Sequence, residues 1–159
     1  MNEAGADVEQ IVRTYAGLVY KLAFANAGNR SDADDVFQEV FLRYIRRQPV
    51  FRDPEHAKAW FIRVTLNRCH SLWSSAYRKR ARPLADTLSY EMEEGEDLAS
   101  ALATLSPAYR SVVHLFYYED MTTAQIAAAL RRKEATVRTQ LTRARQQLKH
   151  NLKGAYPDV

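Results

Sequence analysis

At 159 residues the chain can form one ordinary domain or two small ones, and 47% hydrophobic with 26% charged residues is the balance of a globular protein. Five Gly and five Pro argue against a loop-rich β fold, while abundant Ala, Leu, Arg, Gln and Glu favour helices. A net charge of +4 hints at an anionic partner; the single cysteine, Cys69, excludes an internal disulfide, and no signal-peptide core or bilayer-length apolar run is present, so a soluble, cytoplasmic protein is expected.

Residues 7–26 carry Val8, Ile11, Val12, Tyr15, Leu18, Val19, Leu22 and Ala23 at three-four spacing, which predicts a helix with one core-facing stripe. "AGNRSD" breaks the pattern at Gly28. Ser31 is then the expected N-cap, with Asp34 three positions on, and Asp32, Asp34 and Asp35 suit a positive helix N-terminus. The helix expected over 31–47 buries Val36, Val40, Phe41, Tyr44 and Ile45. Phe37, Phe41, Leu42 and Tyr44 cannot all face one core. The surplus makes either a protein-binding surface or aromatic packing on neighbouring helices.

"QPVFRDPEH" reads as a loop, with Asp53-Pro54 opening a helix over 54–77. From position 58 to 82 there are Lys58, Arg63, Arg68, Arg78, Lys79, Arg80 and Arg82, and no Asp or Glu. Rings among cations suit single-stranded nucleic acid, because guanidinium and ammonium groups hold phosphates while rings stack on unpaired bases. Trp60, Phe61 and Val64 sit at core spacing, which leaves Trp73 and Tyr77 as ring contacts. "LADTLSYEMEEGEDLAS" follows, with Asp86, Glu91, Glu93, Glu94, Glu96 and Asp97 and no base; it reads as a linker.

A short apolar helix is expected over 98–105. Ser106 is the next N-cap, Pro107 the first helical residue, and Val112, Val113, Leu115, Phe116 and Tyr117 the core side. His114 reads as a packed core histidine. Over 121–130, Thr122 and Gln125 form a capping box, Ile126, Ala127 and Leu130 are buried, and Ala127 is small enough for a close helix crossing. The turn "RRKE" leads into a helix over 134–152 that buries Val137, Leu141, Ala144, Leu148 and Leu152. It leaves Arg138, Thr139, Gln140, Thr142, Arg143, Arg145, Gln146 and Lys149 free. A short helix, a tight turn and a longer helix rich in donors is a helix-turn-helix, whose second helix lies in the major groove. Arg there pairs with guanine edges and Gln with adenine edges, while Thr and Lys hold phosphates.

The expected fold is all-α, with two small helical domains over 1–82 and 98–159 joined by a flexible acidic linker over 83–97. Two basic blocks separated by an acidic strip suit two contacts on one long polyanion. The four His are dispersed, and neither a Gly-rich phosphate loop nor a nucleophile elbow is present, so no enzyme and no cofactor are expected.

Over residues 8–153 the chain resembles the extracytoplasmic-function (ECF) sigma factors of bacterial RNA polymerase. "DADDVFQEVFLRYIRR" is similar to that family's polymerase-binding helix. "FRDPEHAKAWFIRVTLNRC" is similar to its promoter-melting segment, and residues 105–152 to its C-terminal domain. The resemblance implies that Asp34, Asp35, Gln38, Glu39, Phe41 and Leu42 contact the clamp helices of the largest polymerase subunit. It implies that Lys58, Arg63, Asn67, Arg68 and Ser71, with loop 50–53, hold the melted −10 element. Arg132, Lys133, Thr136, Arg138, Thr139, Gln140, Thr142 and Arg143 would then read the −35 element. The implied partners are core polymerase, including the flap of its second-largest subunit, promoter DNA as duplex and melted strand, and an anti-sigma factor. Two positions depart from the pattern. The turn "RRKE" lacks the usual Gly, and Ser71 stands where many relatives carry an acid. The chain also ends soon after Lys153, so the extra C-terminal domains of some relatives are expected to be absent. The alternative reading is a stand-alone helix-turn-helix regulator. Such a protein needs one DNA-reading helix and leaves the 58–82 block unexplained.

Overall fold

A computed structural model describes residues 2–80 and 102–155. Six helices lie wholly within these residues: α1 (Asn2–Ala27), α2 (Arg30–Arg47), α3 (Pro54–Arg80), α4 (Pro107–Tyr117), α5 (Thr123–Leu130) and α6 (Glu134–Ala155). The expected linker and most of the helix expected over 98–105 lie outside the described residues.

Helices α1, α2 and α3 pack on one another through their predicted stripes. Tyr15, Leu18, Val19, Leu22 and Ala23 of α1 meet Ala33, Val36, Val40 and Phe41 of α2 and Ala57, Phe61, Ile62 and Cys69 of α3. Phe61 is the hub. Its ring lies 4.7 Å from Tyr15, 4.9 Å from Trp60, 5.5 Å from Phe41 and 5.7 Å from Tyr44. Such ring pairs add to the area term of burial.

The entry to α2 differs from expectation. Gly28 adopts φ 90°, a backbone geometry that glycine alone reaches without strain, and reverses the chain one step early. Asn29 is then the extended residue and the N-cap. Its Oδ1 accepts from the Asp32 amide at 2.8 Å, and its Nδ2 donates to the Asp32 carboxylate at 2.7 Å. Ser31 is already inside the helix and exposed. Ile45, expected in the core, is 46% exposed, because Tyr44 has turned inward onto Phe51, Trp60 and Phe61.

The C-terminal half follows its caps. Ser106 caps α4 with Pro107 in the first turn, and both bonds of the Thr122–Gln125 capping box are present on α5. Val112, Val113, Leu115, Ile126, Ala127, Val137, Leu141 and Ala144 close the core. Tyr117, expected among them, is 50% exposed. Arg110 is buried and donates to the carbonyl oxygens of Leu102, Ala103 and Leu105, which holds the chain entering α4. The glycine-less turn is solved by Arg131 itself, at φ 56° and ψ 49°. Its amide and that of Arg132 both donate to the Ala127 carbonyl, as a glycine-terminated helix would arrange them.

The two halves also touch. α3 packs on α5, and α1 on α4. Ala129 of α5 is buried, and Gln125 donates to the Glu55 carboxylate at 3.2 Å.

Candidate protein and nucleic-acid interfaces

On α2, Asp34, Asp35, Gln38 and Leu42 are exposed and Glu39 is half-buried. Leu42 is 43% exposed and Ile45, three positions on, is 46% exposed; together they form an apolar ledge one turn from Gln38 and Glu39. An exposed apolar strip edged by acids is a surface shaped for a basic protein partner. Phe41 is not part of it. It is only 6% exposed, with its ring 4.9 Å from Phe37 and 5.5 Å from Phe61. Phe41 therefore shapes this helix from within, and Ile45 replaces it at the surface. Apolar spacing alone placed both Tyr44 and Ile45 in the core and could not tell which would stay outside. The loop residue Phe51, which draws Tyr44 inward, is the missing signal.

On α3, Asp53 caps the first turn by accepting from the His56 amide at 2.8 Å. Arg63, Asn67 and Ser71 recur every four residues and so share one face. Asn67, Arg68 and Ser71 are exposed. Lys58 and Arg63 instead line a cleft of about 370 Å³ between α3 and α5, together with Arg52, Glu55, Met121 and Ala128. The Arg63 guanidinium donates to the Ala129 carbonyl at 3.2 Å. That oxygen belongs to the last turn of α5, where carbonyls lack intrahelical partners and the helix end is partly negative. Burial, and then the nearby Arg131 charge, lowers the Arg63 pKa, though an arginine stays charged. The side chains of Trp73 and Tyr77 lie outside the described set.

On α6 and the turn before it, Lys133, Thr136, Arg138, Thr139, Thr142 and Arg143 are exposed, which suits groups that must reach a groove. Glu134 organises the start of the helix. Its carboxylate accepts from Thr123 at 3.0 Å and pairs with Arg138 at 2.9 Å. Arg132 and Gln140 are different, because both are half-buried and bonded to each other at 3.0 Å. Arginine only donates, so the Gln140 carbonyl must face Arg132. The pair braces the turn against the helix, and burial lowers the Arg132 pKa. Sequence reasoning placed both among the readers and missed the brace, because an eight-residue separation across a turn leaves no periodic trace.

Among the described residues, no group of three metal-ligating side chains occurs and no helix is long and apolar enough to cross a membrane.

Comparison with known proteins matches two separate stretches of the chain. The family model for Sigma-70 region 2 matches residues 11–82, and that for Sigma-70, region 4 matches residues 95–148. The chain is 32% identical to the ECF RNA polymerase sigma factor SigE of Mycolicibacterium smegmatis, over 91% of this chain and 61% of that protein. It therefore spans about three fifths of that relative's length. It is 30% identical to the RNA polymerase sigma-E factor of Streptomyces coelicolor, over 92% of this chain and 86% of that one. The fold is that of the sigma factor RpoE solved in complex with the anti-sigma factor NepR from Bartonella quintana. The TM-score is 0.76 at 20% identity, over 92% of this chain and 97% of that one. CnrH in complex with the cytosolic domain of CnrY gives a TM-score of 0.67 at 26% identity, over 92% and 88% of the two chains.

Proposed function

Since the chain belongs to the ECF RNA polymerase sigma factors, we propose that it binds core RNA polymerase and directs promoter recognition and opening in the cytoplasm. It makes and breaks no covalent bond itself. One observation carries the reading: a single chain presents an acid-edged apolar ledge on α2 and separate sets of basic donors on α3 and α6. A stand-alone regulator needs only the last of these.

In this reading Asp34, Asp35, Gln38, Glu39 and Leu42, with Ile45, meet the clamp helices of the largest subunit, and Phe41 supports them from behind. Lys58, Arg63, Asn67, Arg68 and Ser71 hold the melted −10 strand. Lys133, Thr136, Arg138, Thr139, Thr142 and Arg143 take the −35 duplex, with Arg132 and Gln140 fixing the angle of their helix. Duplex binding then draws on phosphate contacts and counterion release, and it weakens steeply with salt. Polymerase contributes by holding both DNA-binding surfaces at one separation, a gain in effective concentration. Capturing unstacked bases offsets roughly a few kcal/mol per base of lost stacking. Arg63 must exchange the Ala129 carbonyl for phosphate oxygen when it grips the strand. An anti-sigma factor is the expected antagonist, since RpoE and CnrH were each solved with a bound partner.

A run-off transcription assay with core polymerase tests the whole reading; absence of any promoter-specific transcript would sink it. Gln38→Ala with Glu39→Ala is expected to weaken a polymerase pull-down and leave the fold intact. Unchanged recovery would remove the α2 assignment. Arg138→Ala is expected to cost about 1–3 kcal/mol at preferred −35 sequences. An equal loss on every −35 sequence would make it a phosphate contact.

A further inference from the structure

One basic side chain of α6 is held unlike the rest. Arg145 follows Arg138 by seven residues and precedes Lys149 by four, so the three occupy one flank of the helix, with Thr142 beside them. No acid occurs in α6 after Glu134. The Arg145 guanidinium lies 5.3 Å from the Phe116 ring centre and 5.6 Å from that of Tyr117. Its Nε–H donates to the Tyr117 hydroxyl at 2.7 Å. The two rings are themselves set edge to face at 4.9 Å, in the last turn of α4.

This is not a charge hidden in a core. Arg145 and Tyr117 are both exposed, and the ion pairs among the described residues join other groups, Arg13 to Glu9 and Arg138 to Glu134. Two rings and a hydroxyl fix the plane of the guanidinium and use one of its five donors. The four on the terminal nitrogens are left for a ligand. A planar fork of that kind matches a pair of oxygens on a phosphate. Its rotamer freedom is lost before binding, so less is lost on contact.

We propose that Arg145 is a preset clamp for a DNA backbone phosphate beside the −35 element, with Tyr117 as its positioning residue. The proposal rests on α6 being the −35 helix. A phosphate fits better than a protein carboxylate because the neighbours along this flank, Arg138 and Lys149, are also cationic. A row of like charges suits a repeating anion. The flank position also suits the backbone, since base edges meet the groove-facing side and phosphates meet the sides.

The test uses reconstituted holoenzyme on promoter fragments across a salt series, with Arg145→Ala, Arg145→Lys, Tyr117→Phe, the Tyr117→Phe/Arg145→Ala double variant and Arg138→Ala. Arg145→Ala is expected to lower the slope of log affinity against log salt by about 0.9, with about fivefold weaker binding on every −35 sequence alike. Arg145→Lys keeps the slope. Tyr117→Phe keeps the ring and the slope but weakens binding about threefold, as loss of one hydrogen bond implies. In the double variant that threefold loss disappears, because Tyr117 acts only through Arg145. An unchanged slope in Arg145→Ala, or a loss of polymerase binding in its place, overturns the clamp. Additive losses in the double variant overturn the positioning role. If Arg138→Ala weakens binding and Arg145→Ala does not, the clamp alone fails. If neither does, α6 is not the −35 helix.

Discussion

In the N-terminal half, the single ring of Phe61 meets Tyr15, Phe41, Tyr44, Phe51 and Trp60. In the C-terminal half, the described residues form no such hub. Small and branched side chains such as Val112, Ile126, Ala127 and Ala144 fill the centre, and the chain reversals are held by polar side chains. The first arrangement gives large buried area and a rigid platform beneath the exposed face of α2. The second lets helices cross closely, as a groove-reading hairpin requires, but leaves stability resting on caps and braces. α4 and α5, of 11 and 8 residues, bury too little to be indifferent to losing a cap.

The contrast can be broken or sharpened by measurement, beginning with the largest effect. Phe61→Ala should destabilise the protein by about 3–5 kcal/mol in urea unfolding, because a buried aromatic leaves both lost transfer energy and a cavity. A cost below 1 kcal/mol would mean that the ring cluster is not the support of the N-terminal half. Next comes acid. His114 is buried against α1, and its Nε2 has no hydrogen-bonding partner among the described residues. Burial first, then the Lys21 charge, pushes its pKa from 6.5 down to about 4. The unfolded chain therefore takes up this proton before the folded one. Stability is full above pH 6.5, falls as pH drops toward 4, and levels off below, a total of about 3 kcal/mol. His114→Leu should flatten that stretch of the profile; an unchanged slope would place the acid sensitivity elsewhere.

Smaller effects probe the braces. Arg110→Met keeps the length of the side chain but removes the donors to Leu102, Ala103 and Leu105, and should cost about 2 kcal/mol. A neutral result would show that water replaces the guanidinium freely. Thr122→Ala breaks the capping box and should lower stability by about 1 kcal/mol. Last, Arg131→Gly should raise the melting temperature slightly, since a side chain in the left-handed region carries roughly 1 kcal/mol of strain. A fall instead would show that the Arg131 side chain contributes more than its backbone geometry costs.

The helices and most caps were legible in the sequence because they depend on near neighbours. Val36 and Val40 repeat every four residues, Pro107 follows Ser106, and Gln125 stands three after Thr122. What was not legible depends on residues far apart in the chain. Ile45 was left at the surface because Tyr44 turned inward onto Phe51 and Trp60. Asn29 displaced Ser31 because Gly28 reversed the chain sooner. Arg63 belongs to the basic block of α3, yet its contact with Ala129 spans 66 positions, beyond any local pattern. The bond between Arg132 and Gln140 was likewise not legible, since it crosses a turn.

Cys69 sits where these distant contacts converge. It is buried on α3, with its sulfur 3.9 Å from the Ala23 carbonyl of α1, and it feels the charge of Arg110 on α4. Burial above all pushes its pKa up to about 12, so it is a neutral thiol at physiological pH. Thiolate, not thiol, attacks alkylating dyes, and only after the dye reaches it. The chain thus carries its own stopwatch. With one cysteine in the sequence, the rate of dye attachment counts how often this joint opens. Comparing that rate for the free protein, the protein on polymerase and the protein held by an antagonist would time its opening without adding a label site.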